Sequence, residues 1–379
     1  MSEETKIDPI FAQVEADALE ERKKKEVLAK ELIVRERKAD TAIQRIDQGD
    51  KDSELAKTTD YGALTEADVL QKQKENTEYM LAARKKMPFI NEEFDKAIPF
   101  FRKNLILVGG KTGEGKSTTV ANIIRGMVAV VDKETGKKKR ILVLTNEEKA
   151  EDVYNRVTCL LKGWHYVNHD LFTDEQIETF NKCIGLLSRD GMITVVDDSY
   201  HGANGTTTTL EGICQVFDNL LANNEWYDAV LIDYYQNVKE SRQNPLMNEW
   251  EVQAALVRRL DQYKNLYPAP IVIMAQVQPP DAEGSLPFKS RIEGRKSILN
   301  VATCAVEMIA NREELCTEWV IHKSRFNQMV GETVTTGYNK GLYVEHTEEF
   351  KDMVAKMKAA REKAEFDKAV KLPEVKENE

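Results

Sequence analysis

An apolar run, Leu105 to Val108, stops at Gly109-Gly110 and passes through Lys111-Thr112-Gly113-Glu114-Gly115 into Lys116-Ser117-Thr118-Thr119. This stretch constrains the architecture more than any other. Gly110, Gly115, Lys116 and Ser117 meet the spacing G-x-x-x-x-G-K-[ST], and each residue type has a physical reason to be there. Glycines admit backbone angles closed to other residues, so consecutive N–H groups can turn inward around an anion. A helix opening near Lys116 aims the positive end of its dipole at the same point. Lys116 would reach the β- and γ-phosphates of a nucleotide, and Ser117 would hold Mg²⁺ through its hydroxyl. The context agrees: Leu105 to Val108 reads as a buried strand and Ser117 to Val130 as a helix with apolar spacing. A glycine-rich turn with a chance lysine would need neither. An ATP- and Mg²⁺-binding loop is expected over Gly110, Lys111, Thr112, Gly113, Glu114, Gly115, Lys116, Ser117 and Thr118.

Further apolar runs follow at intervals: "ILVLTN", "MITVVDD", "DAVLIDYY", "PIVIMAQ" and "EWVIHKSR". Short strands spaced by amphipathic helices imply a mostly parallel central sheet with helices on both faces. The expected organisation is a charged helical arm over 1–84, an α/β domain over 85–346, and a charged helix with a frayed tail over 347–379. In the arm, a thin apolar stripe through Leu19, Val27, Leu28, Leu32 and Ile33 needs burial. A second helix is expected from Glu66 to Lys85.

The 379 residues carry a formal net charge of −10. That argues against a broad basic face coating duplex DNA, but not against a narrow channel for a single strand, where a few loop residues suffice. No apolar run approaches the ~20 residues of a membrane span. The opening "MSEETKIDPIF" has no secretory core, so the cytoplasm is expected. The five cysteines are scattered without a C-x-x-C pair and read as reduced thiols.

In open α/β sheets ligands sit at the carboxyl ends of strands. After "ILVLT" come Asn146, Glu147 and Glu148. A carboxylate here could polarise an attacking water, or simply favour the start of a helix. Asp233 ends "AVLI" in the Walker B manner and would hold Mg²⁺. Gln276 ends "IVIMA", where an amide can sense a phosphate. Lys323 and Arg325 are two apart and share one face of a strand. They read as a γ-phosphate clamp acting on a neighbouring subunit's nucleotide, or as a solvated basic face.

In order along the chain, these segments resemble the RecA-type motor domain of replicative hexameric DNA helicases, the DnaB type and its phage primase-helicase relatives. The likeness covers about residues 88 to 345. "VLTNEEKAEDVYNR" is similar to the family's second-strand motif, in which a Glu is followed at +4 by Glu and at +9 by Arg. That register makes Glu147 the catalytic base, with Glu151 and Arg156 as followers and Glu148 as its neighbour. "DAVLIDYYQNV" resembles the family Walker B and "IVIMAQVQ" its sensor strand. "HKSRFNQMVGETVTTGYNKGLYVE" resembles the phage K-x-R-F segment, which implies that Lys323 and Arg325 are trans-acting fingers. The family's DNA loops would be "KESRQNPLMNEWE", with Lys239 and Arg242, and "QPPDAEGSLPFKSRIEGRK", with Lys289, Arg291, Arg295 and Lys296. Such loops follow a phosphate backbone without reading bases. No primase or zinc module is read before the motor, and "ILNVATCAVEM" replaces the acid-rich segment of bacterial members.

The resemblance implies an ATP-driven single-stranded DNA translocase or replicative helicase, assembled as a homo-oligomeric, hexameric ring. Primase, loader or other replication proteins would bind through the arm. Two other readings fit the same residues: a RecA-like repair ATPase forming filaments on DNA, and an assembly protein whose oligomeric state ATP controls.

Overall fold

The structure, a computed structural model, describes residues 92–98, 103–131, 136–166, 172–198, 206–279 and 286–370, together with 67, 69–71, 73, 74, 90 and 100. The chain divides into two units, Met1–Lys74 and Glu75–Glu379. In the first, residues 67, 69–71, 73 and 74 are helical, where the second helix of the arm was expected. The long charged helix expected before it lies outside the described residues.

The second unit is built on one sheet with strand order β3-β2-β4-β5-β1-β6-β7-β8-β9. Its strands are β1 (Leu105–Gly110), β2 (Ile141–Thr145), β3 (Ile193–Val196), β4 (Ala229–Asp233), β5 (Ile271–Gln276), β6 (Cys304–Asn311), β7 (Cys316–Ser324), β8 (Thr333–Asn339) and β9 (Leu342–Glu345). The pairs among β1 to β6 run parallel, and β7, β8 and β9 close the sheet as an antiparallel meander on β6. The helices are α1 (Glu92–Ala97), α2 (Lys116–Val128), α3 (Ala150–Lys162), α4 (Asp174–Ser188), α5 (Leu210–Ala222), α6 (Glu249–Leu266), α7 (Phe288–Arg291), α8 (Ile298–Val301) and α9 (Glu348–Val370).

Strands covered on both faces need apolar residues at every position, not alternate ones. β1, β2 and β4 are buried along their whole length. Alternation then sorts neighbours onto opposite faces. Ile106, Val108, Val143, Leu231, Val272 and Met274 pack with Val120, Ile124 and Met127 of α2 and Val153 and Val157 of α3. Leu105, Leu107, Leu144, Ile232 and Ile273 pack with Phe217 of α5 and with Leu256, Leu260 and Tyr263 of α6. Helix starts are set by side chains. Thr209 accepts from Gly212 N at the head of α5, and Asn248 and Glu251 form a reciprocal cap on α6. The expected charged C-terminal helix is α9, which buries Phe350 and Val354. The tail expected after it, 371–379, lies outside the described residues. Among the described residues no helix is long and apolar enough to cross a membrane.

This topology brings the carboxyl ends of β1, β2, β4 and β5 to one edge of the sheet. β7 runs the other way, so its end lies at the opposite edge.

Candidate active site

The loop between β1 and α2 has the shape its glycines allow. Gly115 caps α2 with φ of 102°, a left-handed angle that a side chain would strain. Lys116 folds back over the loop, and its Nζ donates to Gly110 O at 3.3 Å and Lys111 O at 3.1 Å. Lys111 N donates to Glu114 Oε2 at 3.0 Å, which closes the loop on itself. Thr119 Oγ1 donates to Gly115 O at 3.0 Å and meets the buried Tyr343 hydroxyl of β9 at 3.1 Å. Arg312, in the turn between β6 and β7, rests on the same loop, Nη2 to Gly113 O at 3.1 Å.

Asp233 lies beside this loop, 2% exposed. Its Oδ1 is buried with no hydrogen-bond partner. Burial, then the nearby Glu147 and Glu148 carboxylates, push the carboxyl up to about 7; Lys116 and a Ser117 hydrogen bond pull only part of that back. A carboxyl driven up by desolvation and like charge, with a bare oxygen and a hydroxyl alongside, is a site that a divalent cation would relieve. The residues present therefore fit Mg²⁺. The peptide bond after Asp233 is cis.

Glu147 and Glu148 separate in the structure. Glu148 is half-buried and pairs with Arg156, whose guanidinium also lies over the Tyr166 ring at 4.3 Å. Glu147 is exposed, as is Glu151. Glu147 also weighs more than Glu148 in raising Asp233. Of the two adjacent carboxylates, Arg156 holds Glu148 and leaves Glu147 exposed. Asn146, just before it, holds the region together. Its Nδ2 donates to Thr207 O at 2.9 Å and Tyr234 O at 3.0 Å, and its Oδ1 accepts from Tyr234 N at 3.1 Å.

Gln276 stands opposite Gly110 in the β1–β5 register, and its Nε2 donates to Thr112 Oγ1 at 2.8 Å. The roots of the two loops expected to meet DNA are tied together behind it. Gln236 Nε2 donates to Gln276 O at 3.1 Å and Glu293 O at 3.2 Å, and Tyr235 OH donates to Glu293 O at 3.0 Å. Gln253 of α6 accepts from Arg295 N at 2.8 Å. Lys289, Arg295 and Lys296 are exposed, and so are Lys239 and Arg242. Lys296 Nζ reaches back to Ser290 O at 2.7 Å, and Lys239 lies 3.9 Å from Glu249. Arg291 differs from the solvent-facing cation expected of it. It is 7% exposed and makes two 2.6 Å bonds to Glu307.

Lys323 and Arg325 do not join this cluster. Lys323 Nζ donates to Leu299 O at 2.7 Å and Asn300 O at 2.9 Å, and Arg325 Nη2 to Asn300 O at 3.1 Å. Both cations thus sit on the carbonyls of α8. Arg325 N bonds Thr303 O, and Thr303 N bonds Leu105 O. That puts Arg325 level with the start of β1, while the phosphate loop leaves from its end. At roughly 3.3 Å per residue the length of β1 separates them by about 17 Å, beyond the reach of either side chain. Burial, then the charges of Arg325 and Lys264, lower the Lys323 ammonium to about 8.

Sequence reasoning assigned no role to Asn146, Arg312, Gln253 or Glu307. Asn146 had a local signal, an amide at a strand's carboxyl end next to a candidate base. Glu307 had one too, a lone acid inside the apolar run "CAVEMIAN".

Sequence comparison with curated proteins returns no match. Among solved structures, the ATPase domain of a DnaB-like helicase superposes with a TM-score of 0.59 at 14% identity, over 75% of this chain and 100% of that one. A second DnaB-like replicative helicase, solved to show its interactions with primase, superposes with a TM-score of 0.53 at 14% identity, over 81% of this chain and 71% of that one. These likenesses show a RecA-like ATPase fold. The family model of the DnaB-like helicase C-terminal domain matches residues 91–340, a span that runs from the residue before α1 through β8, and the chain belongs to that family of replicative helicase-type ATPases.

Proposed function

We propose that the chain is an ATP-driven translocase on single-stranded DNA, working as a ring of identical copies with each nucleotide held between two of them. One observation carries this reading: the phosphate-binding groups and the Lys323–Arg325 pair stand at opposite edges of the same sheet. A single copy cannot bring both to one nucleotide. Two copies packed edge to edge can, and repeating that contact gives a ring where the rotation between copies closes.

In this reading Lys116 leaves the carbonyls of Gly110 and Lys111 for the β- and γ-phosphates. Ser117 and Asp233 hold Mg²⁺, which when bound neutralises phosphate charge. Glu147 orients the attacking water and takes its proton. Gln276, now on Thr112, contacts the γ-phosphate and passes its loss to the loop roots through Gln236. Lys323 and Arg325 of the neighbour release the α8 carbonyls and offset the charge that develops on transfer. Lys289, Arg295 and Lys296, with Lys239 and Arg242, hold the DNA backbone. Arg291 is not among them. A primase or loader would be recruited through the arm preceding the motor, in the cytoplasm of a bacterium or a phage-infected host.

The test is steady-state ATP hydrolysis with and without single-stranded DNA, with Lys116→Ala as the blank. Stimulation by DNA that the variant loses is the expected result. Hydrolysis indifferent to DNA would overturn the motor and favour an ATP-controlled assembly protein. Electron micrographs with ATP and DNA separate rings from filaments.

A further inference from the structure

Three ionisable side chains meet inside the protein at a point that the hydrolysis scheme does not use. Arg291, at the end of α7, makes two bonds to Glu307 of β6, Nη1 to Oε1 and Nη2 to Oε2, both 2.6 Å. His322 of β7 contacts the same carboxylate, Nε2 to Oε2 at 2.9 Å. Arg291 also holds two backbone carbonyls between β5 and α7. Its Nη1 donates to Gln278 O at 3.2 Å and its Nε to Leu286 O at 3.3 Å.

The same residues touch the phosphate-loop strand. Glu307 lies opposite Gly109 in the β1–β6 register. The His322 ring stacks on Phe288 of α7, centroids 4.2 Å apart and planes within 4°. Phe288 in turn lies on Gly109. A Cβ there would come within 2.9 Å of the ring and 2.7 Å of Val277 Cγ2, so only glycine admits the approach. One step along β7 from His322 is Lys323. Loop, phosphate-loop strand and finger strand therefore converge on one carboxylate.

An apolar set of the same volume would hold the core as well or better, because burying charges is costly even when they are paired. The side chains of Arg291 and Glu307 are 8% and 5% exposed. Burial pushes the Glu307 carboxyl up, and the hydrogen bonds from His322 and Arg291 more than reverse this and hold it below its ordinary value. The cluster is charged, directional and bidentate, which fixes one geometry where apolar packing would allow several.

We propose that Arg291, Glu307 and His322 are positioning residues that lock the loop after β5 to the phosphate-loop strand and the finger strand, so that DNA held by the loop alters nucleotide turnover. The inference rests on the motor reading above. It goes beyond it by assigning the coupling to three residues that touch neither nucleotide nor DNA.

The test is an oligo-dT titration of steady-state ATP hydrolysis by the full chain, wild type against Glu307→Gln. The basal rate should stay within about twofold and the half-saturating oligo-dT within about threefold, while maximal stimulation falls at least about tenfold. Undiminished stimulation overturns the proposal. So does a proportional loss of basal and stimulated rates, which is what a merely structural role gives. Should Glu307→Gln lose its cooperative melt, His322→Leu carries the same test, since it removes both the contact to Glu307 and the ring on Phe288. Hydrogen exchange over residues 286–296 separates this idea from the motor reading. Mg-ATP should protect that segment in the wild type and not in Glu307→Gln. An equal response in both overturns the coupling, even if oligo-dT stimulates neither and the motor reading has failed on its own.

Discussion

The two edges of the sheet are built differently. At the carboxyl edge of β1, β2, β4 and β5, candidate groups from four strands crowd round one buried acid, and Asp233 is left with a bare oxygen. At the other edge, Lys323 and Arg325 are satisfied, donating to the carbonyls of Leu299 and Asn300. The first edge is frustrated and would be relieved by a cation and phosphates. The second is content in the isolated chain and must be drawn off its carbonyls by a stronger anion. In the proposed reading, a site divided in this way is idle until copies meet, and hydrolysis is a property of assembly.

The first way to break the comparison is to disable the crowded edge. Lys116→Ala should lower hydrolysis about a thousandfold by removing the phosphate-facing ammonium, read by phosphate release, and leave self-association unchanged. Disabling the other edge should look different. Arg325→Ala should keep nucleotide affinity within about threefold while hydrolysis falls by a similar factor of about a thousand, because the lost charge acts only in the transition state. Equal damage to binding and turnover would place Arg325 on its own copy's nucleotide.

Within the crowded edge, two adjacent acids sharpen the assignment. Glu147→Gln should bind Mg-ATP and turn it over about a hundredfold more slowly. Glu148→Gln breaks the pair with Arg156, and should cost on the order of 1 kcal/mol in a thermal or denaturant melt with turnover changed only severalfold. The reverse pattern would exchange their roles.

A further test of the crowded edge is one of pH. The Asp233 carboxyl rises from 3.8 to about 7 on folding. Between those values the folded chain keeps a proton that the unfolded chain has lost, so stability falls as pH rises through the window and levels off above it. Chemical denaturation without nucleotide should show that decline, and Mg-ATP or Asp233→Asn should flatten it.

Much of this was legible in the sequence where chemistry is local. β1, β2, β4 and β5 announced themselves because two-sided burial demands unbroken apolar runs, whereas β6, β8 and β9 were not among the apolar runs read from the sequence; the glycine-rich loop was legible because its glycines and lysine serve one geometry. What escaped depended on distant partners. Arg291 sits in a basic loop beside Lys289 and Arg295, and composition does not distinguish a cation bound for solvent from one bound for Glu307 in a later strand. Lys323 and Arg325 both donate to Asn300 O although Arg325 lies one residue past β7, and which edge they occupy follows from the antiparallel return of β7, set by its pairing with β6. Asn146 acts through backbone groups of Thr207 and Tyr234, which no motif names. The long helix expected before residue 67 lies outside the described residues.

The central claim is that one nucleotide is served by two copies. The most direct measurement adds Arg325→Ala to a fixed amount of wild-type chain and follows ATP hydrolysis in the presence of single-stranded DNA. The account predicts that the rate falls below that of the wild type alone, because variant copies enter the assembly and leave their neighbours' nucleotides without a finger. A rate that stays at the wild-type level at every ratio, with Arg325→Ala hydrolysing ATP normally by itself, would contradict it.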